Sequence, residues 1–163
     1  MKLTPKPLTV ESFAPYGDVI DTESASNHFK INYGLTTRFH DLAKVDVEEN
    51  GGKPGISIFE AQAAQFPHVV KVMEYHPLGS QLFYPLSQTQ FLVLVAPASE
   101  KLVLDKLELF ITNGKQGVNY HKGVWHHYLL PLERTSQFIV VDRIANDSNC
   151  VEDNVEGISI SFG

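Results

Sequence analysis

The sequence predicts an all-β protein, and within that class a jelly-roll β-barrel relieved by a few short helical turns. Three observations carry this. Short runs of β-branched and aromatic residues recur along the chain, separated by turn-forming Gly, Asn, Asp and Pro. Where apolar residues repeat they favour a period of two over 3.6. Almost no stretch carries both a cap and a helical apolar face. A barrel of this kind encloses space for a small ligand at one open end.

Leu8 to Tyr16 reads as a short helix or turn, with Thr9 as its N-cap and Pro15 ending it, and a brief strand follows at Gly17 to Ile20. INYGLTTRFHDLAKVDV has partial alternation and predicts an antiparallel strand around Leu35 to His40. EENGGKPG, Glu48 to Gly55, reads as a hairpin connection, since Gly and Asn supply positive φ angles. Strands are then expected at Ile56 to Ala61, His68 to His76, Gln81 to Leu86 and Phe91 to Val95. The last is a near-continuous apolar run suited to burial on both faces. Leu104 to Phe110 reads either as a helical turn capped by Asp105 or as a strand. After the NGKQG turn, strands are expected at Val118 to His121, Trp125 to Leu130 and Gln137 to Ile144. Asn146 to Glu156 is acidic and lacks apolar periodicity, so a surface loop is expected before a closing strand at Ile158 to Phe162. With no repeat, linker or low-complexity segment, residues 1–163 are expected to form one domain.

Composition excludes several classes. A net charge of -6, with no cluster of Lys and Arg, argues against nucleic acid as partner. The opening residues break at Pro5 and Pro7 before any apolar run, unlike a signal peptide, and no apolar run is long enough for a membrane span. The single cysteine, Cys150, excludes an internal disulfide and fits a reducing cytoplasm. It has no base nearby in sequence, which argues against a nucleophilic role.

Chemistry concentrates in two segments. GVNYHKGVWHHYLLPL, Gly117 to Leu132, holds three of the seven histidines, His121, His126 and His127, beside the only tryptophan, Trp125. Imidazole titrates near neutral pH and is the commonest metal ligand, and an aromatic wall lowers the local dielectric. Alternation places His127 on the opposite face from His126. In the second segment, period-two alternation puts Val70, Val72, Glu74 and His76 on one strand face, so a carboxylate and an imidazole reach one centre, with Gln81 close behind. Each group taken singly also fits an ordinary exposed or hydrogen-bonded side chain. The donor set of carboxylate, imidazole and amide suits a divalent transition metal.

Together the segments INYGLTTRFHDLA, HPLGSQLFYPL, GVNYHKGVWHHYLLPL and FIVVDR, from Ile31 to Arg143, resemble the cupins, and within them the ureidoglycolate lyase family. Cupins place ligands as His-x-His with a later Glu in one motif and a single His in a second. By that correspondence Glu74 and His76 take the His-x-His spacing, Gln81 lies near the Glu position and His126 is the second-motif histidine. The chain departs from the pattern in having Glu74 for one His and Gln81 for the Glu. The resemblance implies a divalent metal, nickel in this family, a homodimer, and a lyase that splits (S)-ureidoglycolate into glyoxylate and urea in allantoin and purine breakdown. It further implies His121 and His126, with Lys122, in proton transfer. The small anionic substrate needs a cation, and a guanidinium grips a carboxylate through paired hydrogen bonds. Arg38 is the preferred anchor and Arg143 the reserve, with Asn32, Tyr33 and Tyr120 as polar lining. The alternatives are another metal-dependent cupin enzyme, an isomerase or dioxygenase, or a non-catalytic cupin that binds a small acid.

Overall fold

Strands make up 46% of the chain and helical segments only 8% in this computed structural model, giving the expected all-β, cupin-like barrel. The structure describes residues 1–162. Two short strands, β1 (Lys2–Leu3) and β2 (Lys6–Pro7), precede one helical turn, α1 (Val10–Phe13). Thr9 caps that turn as expected: its Oγ1 accepts from the Ser12 amide at 3.1 Å while the Ser12 hydroxyl accepts from the Thr9 amide at 3.2 Å. Then come β3 (Gly17–Ile20), β4 (His28–Ile31), β5 (Thr36–Phe39), β6 (Lys53–Ala61), β7 (His68–Tyr75) and β8 (Gln81–Pro85). β9 (Phe91–Ala96), β10 (Glu108–Ile111), β11 (Gly117–Tyr120), β12 (Trp125–His126), β13 (Leu130–Pro131), β14 (Ser136–Ile144) and β15 (Val151–Ile160) complete the chain.

Two sheets curl around a common core. The larger runs β1-β15-β7-β12-β9-β10-β2, with β13 also on β9, and the smaller runs β3-β11-β8-β14-β6. Phe91, Val93 and Val95 of β9 meet Phe83, Val118, Phe138 and Val140 of the smaller sheet in the space between. Leu92, Leu94 and Ala96, the alternate residues, enter a second cluster on the other side with Trp125, Leu109 and Ile158. β9 is thus buried on both faces, as its unbroken apolar run predicts. Each fully buried Phe or Leu contributes about 1.5–3 kcal/mol, so this strand anchors both clusters. β1 and β2, separated by only Thr4 and Pro5, lie at opposite ends of the larger sheet.

Several boundaries differ from expectation. Glu48 to Gly55 is not a hairpin, because β5 pairs with β4 and β6 pairs with β14. The Gly and Asn instead build a tight turn at Glu49–Gly51, where Asn50 and Gly51 do take positive φ (52° and 76°). The acidic stretch expected as a loop is half strand: β15 begins at Val151 and pairs with β7 from Tyr75 onward. Val151 to Asn154 are exposed, so the pairing rests on backbone hydrogen bonds and leaves no apolar alternation to read. The closing strand stops at Ile160. Trp125 to Leu130 is interrupted, with β12 ending at His126 and β13 resuming at Leu130. Both readings of Leu104 to Phe110 hold in part, since a turn at Leu104–Lys106 precedes β10. Asp105 lies inside that turn and does not cap it, the cap position being Val103 with no side-chain hydrogen bond.

Candidate active site

The cavity lies inside the barrel and is about 390 Å³ in volume, within the range of small-ligand sites. Phe59, Phe83, Leu129 and Tyr128 give it apolar walls, while Glu74, Tyr120, His126 and His127 supply polar groups. Local pairing assembles the centre. His126 on β12 lies directly across from Glu74 on β7, the cross-strand relation that brings Cβ atoms closest. From the opposite sheet, Gln81 pairs with both Tyr120 and Asp142.

The same-face row on β7 is not continuous. Val70 packs into the outer cluster with Met73 and Tyr75, so the alternation slips by one residue opposite the register shift in β15. Glu74 and His76 stay together after the slip. Trp125, expected beside the site, alternates away into the outer cluster, stacks edge-on with Tyr75 at 4.5 Å and donates to the Ser99 carbonyl. The wall it was expected to form is Tyr120, whose ring lies parallel to His126 at 4.3 Å and 8°. His127 was expected on the opposite face from His126, yet both line the cavity because the strand ends between them.

Hydrogen-bond polarity shows what the centre accepts. His126 Nδ1 faces the Val124 carbonyl at 3.1 Å and its Nε2 faces Glu74 Oε1 at 3.3 Å. That Nε2 is buried and makes no hydrogen bond of good geometry. His76 Nδ1 faces the Asn149 carbonyl at 2.7 Å and its Nε2 faces Gln81 Oε1 at 3.1 Å. The Gln81 amide nitrogen donates to Asp142 at 3.1 Å, which fixes its oxygen toward His76. All four ring nitrogens of the two imidazoles therefore face oxygen acceptors. A neutral imidazole has one N–H, so either extra protons or a cation must fill the space between each Nε2 and its oxygen. Glu74, His76 and His126 bring ligand atoms within 4.8 Å of one another. Two imidazoles with their Nδ1–H groups held by backbone carbonyls, a carboxylate and an amide oxygen fit a divalent transition metal.

Electrostatics point the same way. Burial pushes the His126 pKa below its ordinary value, with the Glu74 carboxylate opposing, so the imidazole is held neutral. Contact with the His126 imidazole 3.3 Å away keeps Glu74 below the usual carboxylate range against its own desolvation. A neutral Nε2 lone pair thus meets an anionic oxygen. Burial keeps Tyr120 a phenol throughout the accessible pH range. The Cys150 thiol, 3.7 Å from Glu74 Oε2, is pushed up to about 11 by burial and Glu74, and stays protonated.

The other expected residues lie elsewhere. His121 pairs with Asp18 at 3.2 Å, and Lys122 with Glu49 at 2.6 Å and Asp46 at 3.5 Å. Both line a separate recess with Lys44, Asp46 and Ser80. Arg143 is committed to structure: its guanidinium grips both oxygens of Asp147 at 2.6 and 2.9 Å and the Glu49 carbonyl at 3.0 and 3.1 Å, with the side chain 1% exposed. Its neighbour Asp142 turns the other way, to Gln81, as strand alternation requires. Arg38, Asn32 and Tyr33 sit on the β4–β5 hairpin, exposed or half-buried and away from the cavity lining. Asp142, Asn149 and His68 were missed. Asp142 was recoverable, being one strand step from the inward-facing Val140; Asn149, in an acidic stretch without periodicity, gave no signal.

The model of the ureidoglycolate lyase family matches residues 1–160. The chain belongs to the ureidoglycolate lyase family. Relatives named ureidoglycolate lyase are 51% identical over 147 residues in Pseudomonas entomophila (strain L48), covering 90% of this chain and 87% of the relative. Another in Burkholderia mallei (strain NCTC 10229) is 50% identical over 153 residues, covering 94% of this chain and 89% of the relative. As a member of this family of lyases, the chain has at its centre the cluster of Glu74, His76, Gln81 and His126.

Proposed function

We propose that this chain is a ureidoglycolate lyase that divides (S)-ureidoglycolate into glyoxylate and urea within allantoin and purine breakdown. The observation that carries the reading is the couple of buried His126 Nε2 and half-buried Glu74 Oε1, 3.3 Å apart, at the cavity of a chain from this family. The substrate is a carbinolamine, with hydroxyl, carboxylate and ureido nitrogen on one carbon. Its hydroxyl loses a proton, the C–O bond becomes a carbonyl, the C–N bond breaks, and the nitrogen takes up a proton. The proton lost from oxygen equals the one gained by nitrogen, so one poised couple serves as base and then acid. His126, held neutral by burial, and Glu74, held ionised by His126, are ready to receive it. Tyr120 stacks against the imidazole and fixes its plane, while Asn149 and Asp142 orient His76 and Gln81.

Glu74, His76, Gln81 and His126 would hold a divalent ion of the nickel class, since paired imidazoles favour such ions, the ion and the transferred proton being alternative occupants of the His126 Nε2 lone pair. A bound ion would supply positive charge that acidifies the substrate hydroxyl. The substrate is a small anion, and the cytoplasm is the compartment that the free, exposed Cys150 favours. The test is turnover of ureidoglycolate with urea and ammonia measured separately. Urea and glyoxylate are expected in equal amounts with no early ammonia. Ammonia rising in step with substrate loss would mean hydrolysis of the ureido group instead.

A further inference from the structure

The β4–β5 hairpin forms a two-stranded sheet of its own, joined to neither larger sheet. An isolated hairpin is marginal in water, yet this one turns its apolar residues outward. Tyr33 is 105% and Leu35 88% exposed, with Phe29, Ile31 and Phe39 also open to solvent. At its tip Tyr33 holds φ 58°, between Asn32 and Gly34, which also have positive φ. The left-handed conformation costs a bulky residue about 1–2 kcal/mol, so the tip presents its ring away from its own chain at some expense.

Charge separates the hairpin from the cavity. From His28 to Phe39 the hairpin carries Lys30 and Arg38 and no acidic residue, in a chain of net charge -6. Neither cation forms a salt bridge among the described residues. The cavity has the opposite character: Glu60 and Glu74 line it, and among the described residues no Lys or Arg does. Among the described residues no cationic side chain lines the cavity to meet a substrate carboxylate, while the Arg38 guanidinium stands on an apolar arm outside.

A further apolar surface adjoins the cavity. On the outer face of the smaller sheet, Ile58, Ile139 and Tyr84 form one cross-strand row and Ile56, Val141 and Leu82 another. β6 carries Ile56 and Ile58 on that face and contributes Phe59 to Ala61 to the cavity lining. A neighbour seated on the rows would therefore stand beside the cavity mouth. A face that meets its own copy about a twofold axis buries both sets of rows at once.

We propose that two copies of this chain pack through this sheet face, and that the β4–β5 hairpin of each reaches across the cavity mouth of the other, so that Arg38 binds the substrate carboxylate in the partner's site. The identity of the carboxylate rests on the reading above; the interface does not.

Two chains with different tags, one carrying Arg38→Ala and the other His126→Ala, are co-expressed and the hybrid is isolated. Each variant alone is expected to be inactive, whereas the hybrid should show about half the wild-type rate, because one of its two cavities keeps its own His126 and receives an intact Arg38. A hybrid as inactive as its parents overturns the proposal. Sedimentation reads the interface without turnover. The wild-type chain is expected as a dimer at micromolar concentration, and a Tyr33→Asp, Leu35→Asp double variant as a monomer with an unchanged circular dichroism spectrum. A monomeric wild type overturns the proposal, as does an undiminished dimer in the double variant. A wild-type dimer that leaves ureidoglycolate untouched sinks the substrate reading, and sedimentation of the double variant alone then decides the arm.

Discussion

Two pairs of imidazoles, each with one ring lining the cavity, differ in one respect, the number of acceptors they face. His76 and His126, with ring centroids 5.1 Å apart, present four nitrogens to four oxygens. In the second pair His127 Nδ1 donates to the Val72 carbonyl at 2.7 Å, leaving its Nε2 to accept from His68 Nε2 at 2.9 Å. Two neutral rings satisfy that arrangement completely. The first pair is short of protons by design of its surroundings and invites a cation; the second is balanced and only holds β7 to the segment after β12. Histidine count and burial do not distinguish them. Acceptor count does.

The largest effect that would sharpen this contrast is at His126. His126→Ala should reduce turnover about 100- to 10,000-fold, the usual worth of a proton-transfer group, in protein that stays folded by circular dichroism. Near-normal turnover would equate the two pairs. Next is the support of the first pair. Asp142→Ala frees the Gln81 amide to rotate, and such second-layer losses typically weaken metal binding about 10- to 100-fold. Elemental analysis and the melting temperature before and after chelation measure this without any turnover, and a melting temperature indifferent to chelator and added nickel would remove the cation from the first pair.

The balanced pair should instead be read through pH. Burial lowers the His68 pKa and takes His127 down from 6.5 to about 4. The unfolded chain therefore takes up protons first as the medium acidifies. Stability from the neutral pair is full above about 6.5 and is lost as pH falls toward 4, which for His127 amounts to about 2 kcal/mol between pH 7.5 and 5. Urea midpoints at the two pH values test this, and His127→Gln should flatten the difference. The smallest effect is His68→Gln, expected to cost about 1 kcal/mol of stability for the hydrogen bond and to leave turnover near wild type. A large loss of turnover would give the second pair a chemical role.

How much of this was legible in the sequence depends on what wrote the signal. β9 was readable because burial on both faces demands apolar residues at every position. Glu74 and His76 were placed together by strand periodicity, and His126 joined them through family resemblance rather than spacing. The face of His127 was misread because alternation lasts only as long as the strand, and β12 is two residues long. Arg143 reads like a ligand for anions in isolation; its partner Asp147 lies four residues on, in the loop before β15, and nothing in sequence reveals the clamp. The first half of β15 left no trace because its side chains bury little.

The placement of the first seven residues carries a consequence for solubility. A sheet edge offers unpaired amides and carbonyls to any strand that drifts past. Here β1 occupies the edge of β15 and β2 the edge of β10, both in parallel pairing, and Pro7 in β2 has no N–H to offer outward. With two residues between them, they draw the ends of the sheet toward each other like a clasp. Loss of this short piece would leave the chemistry in the barrel untouched at first and bare two strand edges, so the expected fate is sticking to other copies and precipitation, ahead of any change in catalysis.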